Sequence, residues 1–279
     1  MSVNYLALGH LAQDLTPAGP RLGGTVAYAT LTARALGYPA GMVSAYGTDL
    51  DLSALRDISI TRCSSNISTT FENIYGAEGR TQFVRARASP LTLSHLPANW
   101  EQAAIVHVAP LAQEIDSGLI ETLAATPPAF IGLTPQGWLR QWDAEGRVSK
   151  CDWLEALTTL PHVNATVISI EDVRGDWTVA ERWAKAARVL VVTEGAQGCI
   201  VFARGEDARQ FAAPPQTEID PTGAGDVFAA AFFVNMYETN DPWASARFAN
   251  QVAALSITRV GLDGIPTPDE VALCRIRSA

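Results

Sequence analysis

The chain has 279 residues, 48% of them hydrophobic, and its 29 Asp and Glu against 20 Lys and Arg give a formal net charge of -9 at pH 7. An acidic chain with no cluster of Lys and Arg is excluded from binding a nucleic-acid backbone, and no apolar run approaches the roughly 20 residues of a membrane-spanning helix. No charged start leads into an apolar secretory segment, so a soluble, cytoplasmic protein is expected, with one large α/β domain over residues 1–279.

In chain order, the first predicted strand is Tyr5–Leu8, followed by an irregular stretch over Leu11–Leu22, a helix over Thr25–Leu36 and a strand at Gly41–Ser44. A second irregular stretch, Ile67–Leu91, alternates Thr70, Glu72 and Ile74, then Gln82, Val84 and Arg85, and reads as strands and turns. Strands are predicted at Ala104–Val108, Phe130–Leu133, Thr166–Ser169 and Val189–Thr193, with a helix over Thr178–Ala187. Cys199–Ala203, Gly205 and Gln210–Ala213 read as a hairpin near the sheet edge, and helices close the chain at Ala224–Tyr237 and Trp243–Arg259. Short apolar strands alternating with helices imply a mainly parallel sheet with helices on both faces. The two irregular stretches, roughly 11–22 and 67–91, are expected to form a small β-flap over the carboxyl ends of that sheet, where open α/β proteins bind ligands.

The chemistry concentrates in Asp220–Asp226, which reads Asp-Pro-Thr-Gly-Ala-Gly-Asp and runs into the apolar segment Val227–Met236. A glycine-relaxed turn opening a helix presents bare N–H groups and the positive end of a dipole to an anion. A carboxylate in the first turn can take a proton from a hydroxyl beside that anion. Together they point to phosphoryl transfer to an alcohol, although Asp226 in an isolated Gly-Ala-Gly-Asp reads more readily as a helix cap. The two lysines, Lys150 and Lys185, stand in no G-x-x-x-x-G-K-[ST] sequence, so the phosphate must be met by backbone N–H, arginine or a metal. Arg140, after a predicted strand, is one such candidate. The four cysteines, Cys63, Cys151, Cys199 and Cys274, are far apart and read as reduced, packed thiols. His10, His95, His107 and His162 lack metal-ligand spacing and read as structural.

Four segments, in this order, resemble the ribokinase-like, or PfkB, carbohydrate kinases. They are Gly23-Gly24 before a helix ending Ala35-Leu36-Gly37, Thr193-Glu194-Gly195-Ala196-Gln197-Gly198 after a strand, Thr222-Gly223-Ala224-Gly225-Asp226, and Ala249-Asn250 in the last long helix. The resemblance spans nearly the whole chain and implies an α/β ribokinase-like fold with the flap as a lid. It implies a kinase moving the γ-phosphate of ATP to a hydroxyl of a sugar or cyclic polyol, with Asp226 as general base and the N–H groups of Gly223, Ala224, Gly225 and Asp226 as the anion hole. Thr193, Gly195, Gly198 and Asn250 correspond to the nucleotide side. Asp14, Gly23, Gly24 and Tyr28 correspond to the acceptor side, with Tyr28 standing where many relatives carry an asparagine. Asp172, with Glu171, corresponds to the Mg²⁺ motif in shortened form, and reads equally as the acidic first turn of a helix capped by Ser169. Asp220 and Thr222 correspond to a monovalent-cation (K⁺) site, with Pro221 in place of the usual threonine. A homodimer paired through the flap is also implied. A nucleoside or other small-alcohol kinase and a non-catalytic ligand-binding protein of the same fold are the alternatives.

Overall fold

The protein, a computed structural model, is described over residues 3–76 and 79–278. The chain begins with β1 (Tyr5–Leu8), makes a hairpin of β2 (Ala12–Thr16) and β3 (Gly19–Gly23), and enters α1 (Thr25–Ala35). It continues through β4 (Ala40–Tyr46), β5 (Ser59–Ser64), β6 (Thr69–Gly76), β7 (Gly79–Ala86), β8 (Ile105–Val108), α2 (Leu119–Ala125) and β9 (Phe130–Leu133). A short hairpin of β10 (Arg140–Trp142) and β11 (Val148–Lys150) precedes α3 (Ala156–Thr159), β12 (Ala165–Ser169) and α4 (Trp177–Ala184). β13 (Val189–Thr193), β14 (Cys199–Ala203) and β15 (Arg209–Phe211) lead to α5 (Ala224–Thr239), α6 (Pro242–Ser256) and α7 (Pro268–Ser278).

Nine strands form one sheet in the order β15-β14-β13-β12-β9-β8-β1-β4-β5, parallel from β13 to β5 and antiparallel at β14 and β15. Successive side chains of a strand point to opposite faces, and β1 shows the result. Tyr5 and Ala7 join the core that contains α1 and α5, while Leu6 and Leu8 join the core that contains α2 and α4. With helices on both faces, β1, β8 and β9 are buried at every position, which is why they read as apolar runs, broken only by His107 in β8. Helix α5 is buried without interruption over Val227–Met236 and is correspondingly apolar all round.

A second, four-stranded sheet in the order β3-β2-β6-β7 is built from the two stretches that interrupt the strand–helix alternation. The chain leaves β1 through Gly9, His10 and Leu11 into β2, so this sheet hangs from the carboxyl end of β1. From β1 the parallel strands run one way to β4 and β5, and from β8 the other way to β9, β12 and β13. The β1/β8 boundary is therefore the switch point at which a ligand crevice opens.

Three features escape the sequence pattern. The edge strand β5 carries the polar sequence SITRCS and is mostly exposed, so it shows no apolar signal. The β10–β11 hairpin has only three residues a side. Helix α7 has a single narrow buried stripe at Val271 and Cys274. The predicted helix Thr178–Ala187 begins instead at Trp177, because Asp176 caps it by accepting from Thr178 N at 2.9 Å, and it ends at Ala184. The last long helix starts at Pro242 under an Asp241 cap and stops at Ser256 rather than Arg259. Among the described residues, no helix is long and apolar enough to cross a membrane.

Candidate active site

Residues 220–223 form a turn that delivers the chain into α5. Gly223 takes φ 80 and its carbonyl accepts from Val227 N at 2.9 Å, while Ala224 N turns back to Pro221 O at 3.2 Å. Only glycine fits here, since the backbone is left-handed and a Cβ would lie 2.2 Å from Tyr28 Cε1. No side chain caps this helix start, so N–H groups of its first turn stay open to an anion. Asp226 sits in that first turn, partly exposed. Burial pushes its carboxyl up to about 6, with the charges of Asp14 and Asp172 adding to the rise and the Thr25 hydroxyl and Arg140 guanidinium opposing it. A carboxyl titrating there is ionised, yet still basic, near neutral pH.

On one side of the turn lies a cleft of about 620 Å³, walled by Asp14, Arg21, Tyr28, Asn73, Asp220 and Thr222 among others. Asp14 is on β2 and Gly23 is at the end of β3; a Cβ on Gly23 would meet Asp14 Oδ2 at 2.3 Å, so the missing side chain makes room for the carboxylate. Gly24 follows at the start of α1. Tyr28 is only 3% exposed, its ring covered by Gly223. Burial, then the charges of Asp226, Asp14 and Asp220, raise its hydroxyl pKa, so it is a neutral phenol. The ring is in no position to stack on an acceptor.

On the other side is a cavity of about 380 Å³, with Thr193, Gly195, Gly198, Pro221, Ala224 and Gly225 in its wall. Phe228, Ala253, Ala254 and Ile257 give it an apolar flank. Asn250 also lines it, but its amide N–H groups are directed at the chain: Nδ2 donates to Phe211 O at 3.0 Å. The donors of Asn250 thus hold the wall of the cavity in which the expectation placed it.

The metal expectations meet occupied carboxylates. Asp172 is 6% exposed; Oδ1 accepts from Lys150 Nζ at 2.8 Å and Oδ2 from Ser169 N at 3.0 Å, in a capping box. Glu171 is exposed beside it. Asp220 Oδ1 accepts from Thr222 N and Oδ2 from Gly261 N, both at 3.0 Å, with Arg21 Nη1 at 4.0 Å. Burial raises the Asp220 carboxyl, but the hydrogen bonds from Thr222 and Gly261 and the charge of Arg21 outweigh it, and the net shift is downward. Among the described residues no group of three or more His, Cys, Asp or Glu could hold a metal ion. The donor sets of Asp172 with Glu171 and of Asp220 with Thr222 therefore do not fit a protein-held cation.

Sequence reasoning missed Thr25, Arg21 and Lys150. Lys150 is the register partner of Arg140 across the β10–β11 hairpin, which places two cations side by side at the carboxyl edge of the sheet. Arg140 itself is 6% exposed, donates to Leu111 O at 3.3 Å and lies 5.5 Å from the Phe71 ring centre. The scarcity of lysine was the available signal for Lys150. The histidines are structural where they are buried: His107 bridges Tyr5 and Thr134 at 2.8 and 2.9 Å, with burial pushing its pKa down to about 3. His10 bridges Thr69 and Ser89.

Residues 157–269 match the family described as pfkB family carbohydrate kinase. The ribokinase of Bacillus subtilis is 40% identical over 95 residues, 34% of this chain and 32% of that protein, so the match spans about a third of the relative's length. The cytidine kinase of Thermococcus kodakarensis is 23% identical over 248 residues, 82% of this chain and 87% of that one. In three dimensions, a pyrophosphate-dependent kinase in the ribokinase family, solved with a pyrophosphate analog and myo-inositol, superposes with a TM-score of 0.82 at 21% identity, covering 96% of this chain and 99% of its own. The chain thus has the ribokinase fold over nearly its whole length, and within it residues 157–269 are similar to the PfkB carbohydrate kinases.

Proposed function

We propose that the protein transfers the γ-phosphate of ATP to a hydroxyl of a sugar or cyclic polyol. One observation carries this reading: a single turn walls both cavities. Asp220 and Thr222 face the 620 Å³ cleft, and Pro221, Ala224 and Gly225 face the 380 Å³ cavity. An acceptor in the first and a nucleotide in the second meet at the open N–H groups that start α5, beside Asp226. The apolar flank of the smaller cavity suits a nucleoside, whereas pyrophosphate would need only the turn and would leave that flank to water.

In this reading the acceptor hydroxyl gives its proton to the ionised Asp226 carboxylate as its oxygen bonds to the γ-phosphorus. The bond from that phosphorus to the bridging oxygen breaks, and the pair of electrons leaves on ADP. The N–H groups of Gly223, Gly225 and Asp226 hold the charge on the transferring phosphoryl group, that of Ala224 being spent on Pro221 O, and Arg140 adds positive field near the base. The four-stranded sheet acts as the lid that excludes water. Magnesium would enter with the nucleotide's phosphates and would offset their charge, and no step is assigned to it.

A panel of myo-inositol, ribose, fructose and cytidine, coupled to ADP release, tests the reading. ATP consumption dependent on a sugar or polyol supports it; consumption with cytidine alone assigns a nucleoside kinase; no consumption with any acceptor overturns catalysis. The covered ring of Tyr28 removes one ground for an aromatic acceptor. The relatives' activities toward ribose, inositol and cytidine set the panel.

A further inference from the structure

Asp14 and Arg21 are register partners across the β2–β3 ladder. Directly opposed residues of an antiparallel pair share a face, and both line the larger cleft. Arg21 is 46% exposed at its side chain and stands 4.0 Å from Asp220, outside hydrogen-bond reach, so its planar fork of donors is turned largely to the cleft. Next to it the cleft offers little else that donates with charge. Tyr28 is covered, and Asn73, whose Oδ1 accepts from Gln82 at 3.1 Å, offers only an uncharged amide N–H.

A pair of adjacent hydroxyls presents two protons and several lone pairs. A carboxylate satisfies the protons and a guanidinium the lone pairs, and neither group does both. The wall also carries three carboxylates, Asp14, Asp220 and Asp263, against the one guanidinium of Arg21. A phosphorylated or carboxylated acceptor would meet net repulsion there. A neutral polyol would not.

Building on the proposed kinase activity, we propose that Arg21 is a specificity-determining residue: with Asp14 it grips one vicinal diol of an uncharged acceptor, the guanidinium donating and the carboxylate accepting. Arg21 thereby favours neutral polyols and leaves phosphosugars and sugar acids outside the substrate range.

The test compares the full-length protein with R21Q and R21K on whichever of myo-inositol, ribose and fructose turns over fastest, on a monodeoxy analogue of it, and on fructose 1-phosphate. Arg21→Gln is expected to raise the acceptor KM about tenfold or more, the scale of one charged hydrogen bond, while the KM for ATP stays within about twofold. Arg21→Lys is expected to recover part of the loss, and the penalty is expected to shrink on the analogue that lacks the contacted hydroxyl. A merely structural link from Arg21 to Asp220 would lower thermal stability and affect all acceptors alike. An acceptor KM unchanged in R21Q, or a wild type that prefers fructose 1-phosphate, overturns the inference. If the wild type consumes no ATP, the kinase reading fails separately, and calorimetric binding of myo-inositol to wild type and R21Q still decides the role of Arg21: equal affinities, or no binding, reject it.

Discussion

In the proposed transfer Asp226 carries two opposing demands, since its carboxyl must be ionised to take a proton and its surroundings resist the charge. Its pKa of about 6 places the rising limb of kcat/KM below about pH 6, roughly tenfold per unit, with a plateau above. Asp226→Asn is expected to reduce phosphorylation by about 100-fold or more, and a loss under about tenfold in a coupled assay would reject the base. The same shift acts on stability with a definite sign. The folded state holds this proton more tightly than the unfolded chain, whose value is 3.8. Ionisation therefore costs the fold nothing below about pH 3.8, progressively more up to about 6, and at most about 3 kcal/mol above. Asp226→Asn should melt at a higher temperature than wild type at pH 8 and at nearly the same temperature at pH 4. Thermal denaturation at the two pH values reads the difference.

At the scale of elements, the turn before α5 is held by the tyrosine beneath it. Gly223→Ala forces a left-handed backbone on a residue that disfavours it and drives a methyl into the Tyr28 ring. The expected cost is about 2–4 kcal/mol, visible in chemical denaturation, with activity falling alongside as the N–H groups shift. This element was legible because its signal is local: Asp-Pro-Thr-Gly-Ala-Gly-Asp followed by an apolar run states a turn, an open helix start and an acid within seven residues. Arg21 and Lys150 were not legible. Arg21 approaches Asp220 only through the β2–β3 register, and Lys150 reaches Asp172 only because a three-residue hairpin folds it back. The acids Asp172 and Asp220 carry cation-site motifs in the sequence, but their oxygens are claimed by Ser169 N and Thr222 N of their own turns and by Lys150 and Gly261, which only the tertiary fold brings up. Replacing KCl by NaCl at constant ionic strength is accordingly expected to leave the rate within about twofold.

For the molecule as a whole, the alternation of strands and helices foretold the layered sheet, because buried parallel strands cannot hide their apolar runs. The edge strand β5 left no such trace. The four-stranded sheet carries exposed Ile74, at 46%, with exposed Ile67, at 49%, just before β6, and, whereas the outer strand β7 is partly paired with residues 146–147, the other outer strand, β3, leaves an edge that needs cover. We propose that a second copy provides it. Light scattering is expected to give a dimer for wild type and a monomer for Ile74→Glu, and a wild-type monomer at micromolar concentration would reject the pairing.

Since one septum, residues 220–225, separates two chambers, any influence of one occupant on the other must be mutual. Whatever factor by which the polyol tightens the nucleotide, the nucleotide tightens the polyol by the same factor. Calorimetric titrations run in both orders must therefore close the cycle, and a septum that stiffens around its first guest would spare the second guest part of the ordering entropy.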